Sequence, residues 1–354
     1  MSRTLTVGLI ADPGLPERVA SRLTKDLGQS LAVQTGGTVD WRIEASGETL
    51  PLTEAGEIPL IEHAPRLLEH HRWDAVVYLT DLPRRDGFNP IVAELGSKDR
   101  FALICLPALG AWRVAARTRA LLVPLLSSLV SRGDGAAEAA QALRGTITRR
   151  TTPDGVQTLV RSGRLSRALL LAGMVRNNRP AGLLPALSTT AAAGIGTGAF
   201  GIFYASIWAM ADTLPPARLA LISVVVIAAL SFWLIFYNRL WTTRRAINDR
   251  QGRWLDNAAT VLTVGISVAS MYLMLYLVLL VAALTVITSE YLESQLRHPV
   301  TILDYLRLSW LAASLGTMGG AIGSNFDSDR AVREATYSRR EYERRQRAED
   351  GDAS

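Results

Sequence analysis

A chain of 354 residues, 49% hydrophobic and 20% charged, has room for about two domains. Its 38 Lys and Arg against 32 Asp and Glu leave a formal charge of only +6, too weak a field to drive nucleic-acid binding, and no nucleic-acid partner is expected. The lone Cys105 excludes an intramolecular disulfide.

The first half alternates strand and helix patterns. Residues 4–10 put Leu5, Val7 and Leu9 on one face, a strand, with too short an apolar stretch before Asp12 for a cleavable signal peptide. Leu15, Val19, Leu23, Leu27 and Leu31 recur four apart, an amphipathic helix. Val39, Trp41, Ile43 and Ala45 alternate with Asp40, Arg42 and Glu44, a strand with one wet face near a sheet edge. A second helix is expected over 58–71, central strands over 75–79 and 101–106, a third helix over 112–130 kinked or restarted at Pro124, and a short helix over 136–143. Residues 146–151 and 156–160 flank Pro153-Asp154-Gly155, a hairpin signature. The prediction is an α/β soluble domain over 1–160, a mixed sheet with covering helices.

Two segments in this half offer ligand chemistry. Asp12 and Gly14 occupy a strand-to-helix turn where backbone amides hold anions, without the glycine spacing or lysine of nucleotide-binding loops. Asp81, Arg84, Arg85 and Asp86 follow an apolar strand, where open sheets place ligands; the plainer reading is a solvated loop whose charges pair locally. The order of elements resembles the zincin metalloproteases, whose HExxH helix would correspond to 112–130. That resemblance implies a fold only, because residues 115–119 contain no His and His63, His70, His71 and His298 lack ligand spacing with one another. No metal and no cofactor are expected, and Cys105, in an apolar strand, reads as inert core.

Four runs then carry no charged residue or His: 181–211, 219–238, 257–289 and 308–325. About 18 or more apolar residues at 1.5 Å each cross roughly 30 Å of hydrocarbon, so a transmembrane domain of four α-helices is expected over 181–325. Five Arg and no acid fill 161–179, a basic interfacial linker (161–180); five Arg against two Asp fill 239–256; six Arg against five acids fill 327–345. The other two connections are poor in Arg: 212–218 has one, and 290–307 has two with three acids. Basic excess on alternate connections predicts both termini, the α/β domain and the charged tail (326–354) in the cytoplasm. With Lys25 and Lys98 the only lysines, the arginine usage fits GC-rich bacterial coding, hence a bacterial cytoplasmic membrane.

Within the runs, Thr190, Gly194 and Gly198 recur every four residues, as do Ala193, Thr197, Gly201 and Ala205. Ala312, Gly316, Gly320 and Ser324 repeat the spacing, joined by Gly319 and Gly323. Small residues at this spacing let helices pack closely, within one chain or between copies. Asp304 and Arg307 stand one turn apart at the fourth run, an expected ion pair. Trp241 and Trp254, interleaved with arginines, suit anionic lipid headgroups near Arg244 and Arg245. The segments YLTDLPRRDGFNPIVAELGSKDRFALICLPALG and GSNFDSDRAVREATYSRRE resemble actinobacterial membrane proteins with this two-part layout, a resemblance that implies architecture and no activity. The functional expectation is a scaffold or sensor coupling the cytosolic domain to a membrane assembly, as a homo-oligomer or with a membrane-protein partner. The alternatives are an oligomeric channel or passive transporter, and a membrane-associated enzyme using the loop 81–86.

Overall fold

The computed structural model describes residues 3–323 except 54–56, 88, 97–99, 131–133, 144, 153–154, 164, 179, 181–184, 186 and 242–249. Arg244, Arg245 and the tail therefore lie outside the described residues. The chain divides into two compact units, the first reaching Asn177 and the second beginning at Asn178.

The first unit is a mixed sheet covered by helices. In order it contains β1 (Arg3–Ala11), α1 (Leu15–Gln34), β2 (Val39–Ser46), α2 (Leu60–His71), β3 (Ala75–Thr80), β4 (Arg85–Asp86), β5 (Asn89–Gly96) and β6 (Phe101–Cys105). A 3-10 turn (Leu106–Leu109) then leads to α3 (Val114–Ser127), α4 (Gly135–Ala142), β7 (Thr146–Thr151), β8 (Val156–Ser162) and α5 (Ser166–Asn177). The sheet order is β2-β1-β3-β6-β5-β8-β7, with β4 beside β5. β2, β1, β3 and β6 run parallel; β5, β8 and β7 are antiparallel to their neighbours. Every residue of β3 and β6 is buried, as continuous apolar runs require of central parallel strands. At the β2 edge Val39 and Trp41 are buried while Asp40 and Arg42 face solvent. α1 covers the sheet with Val19, Leu23, Leu27 and Leu31. Pro124 neither ends nor restarts α3; it lies in the last turn, where only one backbone hydrogen bond is lost.

β5 departs from the sequence expectation, which left 89–96 unassigned. Pro90 and Glu94 interrupt its apolar pattern, and its burial comes from lying between β6 and β8. Because the β5–β6 connection is short, the two strands must pair antiparallel.

The second unit is helical: α6 (Ser188–Phe203), α7 (Ala205–Thr213), α8 (Pro216–Tyr237), α9 (Arg250–Val286), α10 (Ser289–Leu296) and α11 (Ile302–Gly323). α8 and α9 are long and apolar enough to cross a membrane, and α6 with α7 would add a third crossing if counted as one broken span. The continuous first span expected over 181–211 is thus corrected: the axis bends by 85° between α6 and α7. Tyr204 at the bend takes an extended backbone (φ −103°, ψ 112°), and Trp208 beyond it is buried, edge-on to Tyr291 of α10 at 5.7 Å. α11 falls short of the same apolarity: Asp304 and Arg307 lie in its first turns, and Gly, Ser and Thr dilute its aliphatic residues. Leu221, Val224, Val225 and Phe232 on α8, and Leu273, Leu277 and Val281 on α9, face outward. Exposed apolar residues along helices this long fit a surface in contact with lipid.

The four long helices alternate in direction. Leu187 at the start of α6 packs with Leu234 and Ile235 at the end of α8 and with Val264 early in α9. At the other end, Ile202 and Trp208 pack with Ala283 and Ile287 late in α9 and with Tyr305 and Leu308 early in α11. A partly buried polar network ties three of the helices: Tyr272 Oη lies 2.9 Å from Ser223 Oγ and 2.9 Å from Ser314 Oγ, and Trp310 Nε1 donates to Ser223 Oγ at 2.6 Å.

α6 and α11 approach to backbone contact. A Cβ on Gly316 would lie 2.5 Å from the Gly194 carbonyl oxygen, one on Gly320 2.8 Å from the Thr190 carbonyl, and one on Gly201 2.6 Å from Ala312 Cβ. A Cβ on Gly194 would meet the Gly316 carbonyl at 3.1 Å, and one on Gly198 would meet Leu279 at 2.5 Å. Gly323 is the last residue of α11. By contrast, a Cβ on Gly196 or Gly265 meets nothing within 4 Å. Gly316→Ala is therefore expected to destabilise the protein in detergent by about 1–3 kcal/mol, the usual cost of overpacking. Gly196→Ala should be neutral or slightly stabilising, and thermal unfolding of the two variants side by side checks the contrast.

Candidate functional site

The chain leaves β1 through α1 to reach β2 on one side, then returns through α2 to β3 on the other. The loops after β1 and β3 therefore diverge at the carboxyl ends of adjacent strands, where open α/β sheets form their ligand crevice. Asp12 directly follows β1; Asp81 directly follows β3. Both are buried, at 1% and 4% exposure.

At this point the polar groups bond to one another. Asp12 accepts from Tyr78 Oη at 2.7 Å, from Thr80 Oγ1 at 2.6 Å and from the Asp81 N–H at 3.3 Å. Thr80 Oγ1 in turn accepts from the Leu82 N–H at 3.0 Å. Burial pushes the Tyr78 hydroxyl well above the ordinary phenol range, so it stays a proton donor to Asp12. Gly14 has φ 98°, which permits the sharp entry into α1, and its N–H donates to Glu17 Oε2 at 3.4 Å. The Glu17 N–H is taken by the Asp12 carbonyl at 3.1 Å. The Gly14 and Glu17 amides are thus engaged by the chain's own groups.

The loop after β3 is a set of ion pairs. Arg84 reaches Glu94 of β5 at 2.5 Å and Glu57 at 3.8 Å, with Arg84 16% and Glu94 17% exposed. Burial raises the Glu94 carboxyl above its ordinary range while the Arg84 guanidinium opposes that rise. The close contact makes the paired, ionised form the one that holds β5 at neutral pH. Arg85 and Asp86 form β4, and Asp86 pairs with Arg150 of β7. Cys105 is fully buried and its thiol is pushed up to about 12 by that burial, far from a nucleophile's range.

Two further features escaped the sequence. A cleft of 360 Å³ opens at the opposite, amino-terminal end of β3 and β6, lined by Ala75, Phe101, Leu126, Ser128, Asp134 and Gln157. In the helical unit, Asp212, His298 and Asp304 bring ligand atoms within 4.8 Å of one another. His298 Nε2 lies 3.3 Å from Asp212 Oδ1, and its Nδ1 lies 3.0 Å from the Pro299 carbonyl oxygen. Asp304 does not pair with Arg307 as its spacing predicts: its Oδ2 accepts from the Thr301 N–H at 2.7 Å and Oγ1 at 2.9 Å, capping the start of α11. A backbone N–H one turn earlier outcompetes the half-buried Arg307 because it needs no ordering of a long side chain. Asp212 and His298 lie far apart in the chain, so no spacing signal reveals them.

Compared with protein families, curated proteins and solved structures, the chain matches none.

Arg84→Ala leaves Glu94 without its near partner. It is expected to cost about 2 kcal/mol at pH 7, below the ~3–5 kcal/mol of a fully buried pair because both groups keep some solvent. Glu94 in the variant titrates above its unfolded value, so the folded state binds the extra proton in acid. The deficit should therefore shrink as pH falls through that raised pKa. Thermal unfolding of both proteins between pH 4 and 8 measures it.

Proposed function

We propose that the chain is a multi-pass protein of the bacterial cytoplasmic membrane whose cytosolic α/β unit acts as a sensor or scaffold for an assembly formed with a second membrane chain or another copy. Four crossings are proposed, by α6 with the bend beyond it, α8, α9 and α11. Their alternating directions, and the contact of Asp212 with His298, support this count: the connections 214–215 and 297–301 then share one face, the Arg-poor one assigned to the outside. α6 spans 16 residues, about 24 Å, and α7 then turns aside with Trp208 against Tyr291, an arrangement suited to the aromatic belt of the outer interface.

The observation carrying the sensor reading is the switch point. Two carboxylates, a tyrosine and a threonine are kept buried at the switch point of the sheet, where open α/β sheets form their ligand crevice, at a desolvation cost that plain core residues would avoid. A partner or small polar ligand that exchanged bonds with Asp12 or Asp81 would rearrange both diverging loops at once. Crosslinking in native membranes should recover the chain with a partner or a second copy, and Asp81→Asn should reduce that recovery several-fold while membrane insertion persists. Recovery of isolated monomers alone contradicts the proposal.

The bend at Tyr204 favours a second reading, a passive transporter, since interrupted helices are where transporters place binding sites. Reconstituted vesicles should then pass a solute down its gradient. The scaffold reading predicts vesicles as tight as protein-free ones.

A further inference from the structure

Three ligating side chains from separate parts of the helical unit converge on one point. Asp212 belongs to the last turn of α7, His298 follows α10, and Asp304 stands in the first turn of α11. We propose that Asp212, His298 and Asp304 form a binding site for a divalent transition-metal cation of the zinc class, which clamps the α7–α8 connection to the α10–α11 connection.

The argument starts from lone pairs. His298 Nδ1 sits 3.0 Å from the Pro299 carbonyl oxygen, an acceptor, so Nδ1 carries a proton and donates it there. In the neutral ring Nε2 then holds a lone pair, aimed at an Asp212 oxygen only 3.3 Å away with the Asp304 carboxylate within 4.8 Å. Three electron-rich atoms facing each other repel unless something positive lies among them. A proton on Nε2 satisfies one such contact at a time. A dication satisfies all three and matches the two negative charges.

The surroundings are those of a metal centre. A metal-bound imidazole characteristically donates its other N–H to a carbonyl or carboxylate, as His298 does to Pro299, and a ligating carboxylate is itself held by donors, as Asp304 is by Thr301. Imidazole with two carboxylates suits zinc and its neighbours, whereas calcium and magnesium prefer oxygen alone. Ligands about 2.0–2.2 Å from a shared ion lie roughly 3.3–3.6 Å apart in tetrahedral geometry, so the His298–Asp212 pair is already in place and a separation of up to 4.8 Å must close by up to about 1.5 Å. Water completes the coordination, since each of the three side chains is only partly buried. A bound ion would fix the end of the α6–α11 contact against opening. Nothing in this proposal rests on the sensor reading, and failure of either leaves the other standing.

The test uses the full-length protein in lipid nanodiscs, stripped with chelator and dialysed against zinc chloride. Expected are one tightly held zinc ion per chain, a rise in thermal midpoint on zinc addition, and loss of both in His298→Ala, with affinity weakened at least about tenfold. Asp212→Asn should weaken binding in the same direction; it leaves the Thr301–Asp304 cap untouched, so a folded, monodisperse variant keeps the comparison sound. Cobalt(II) substituted for zinc should give visible absorption bands that disappear in His298→Ala. Absence of saturable zinc binding means an imidazolium–carboxylate pair only and overturns the proposal. Zinc uptake equal in the parent and His298→Ala places the ion elsewhere and overturns it as well.

Discussion

Backbone contact between α6 and α11 sets the geometry of the helical unit. In hydrocarbon, apolar side chains gain nothing by leaving lipid for one another, so helices stay together through dispersion at close range and a few hydrogen bonds. The Gly194–Gly316 approach supplies that range, and Leu275 and Leu279 of α9 fill the shoulders beside it. The Tyr272 network then fastens α8 and α9 to α11. Larger residues on the shared face would push the two axes apart, withdrawing the neighbours that pack against both.

The α/β unit obeys a different constraint, the cost of burying charge. Asp12 remains at the carboxyl end of β1 because Tyr78, Thr80 and the Asp81 N–H replace part of its lost hydration. Arg84 and Glu94 do the same between the β3 loop and β5. These polar groups tie the β1 and β3 loops and β5 to one another.

Much of this was legible in the sequence, and the gaps have physical causes. β3 and β6 announce themselves as apolar runs because parallel central strands are covered on both faces, and β1 through Leu5, Val7 and Leu9 on one face. β5 does not, since Pro90 and Glu94 break its pattern and only its neighbours bury it. The small-residue spacing of α6 and α11 could be read because a four-residue period maps onto one helical face. The bend at Tyr204 could not: the last residues of α6 and first of α7 include no proline, and the Trp208–Tyr291 contact beyond the bend joins residues far apart in the chain. The grouping of Asp212, His298 and Asp304 exists only once two distant connections meet at one end of the bundle.

The central claim is that this chain crosses the membrane with its α/β unit in the cytoplasm. Single cysteines at Ser21, exposed on α1, and at Ser294, exposed on α10, test it most directly, because the native Cys105 is buried and unreactive. With a membrane-impermeant maleimide on intact cells, Ser294→Cys should be labelled and Ser21→Cys should react only after permeabilisation. Labelling of Ser21→Cys in intact cells, or recovery of the chain in the soluble fraction, would contradict the account.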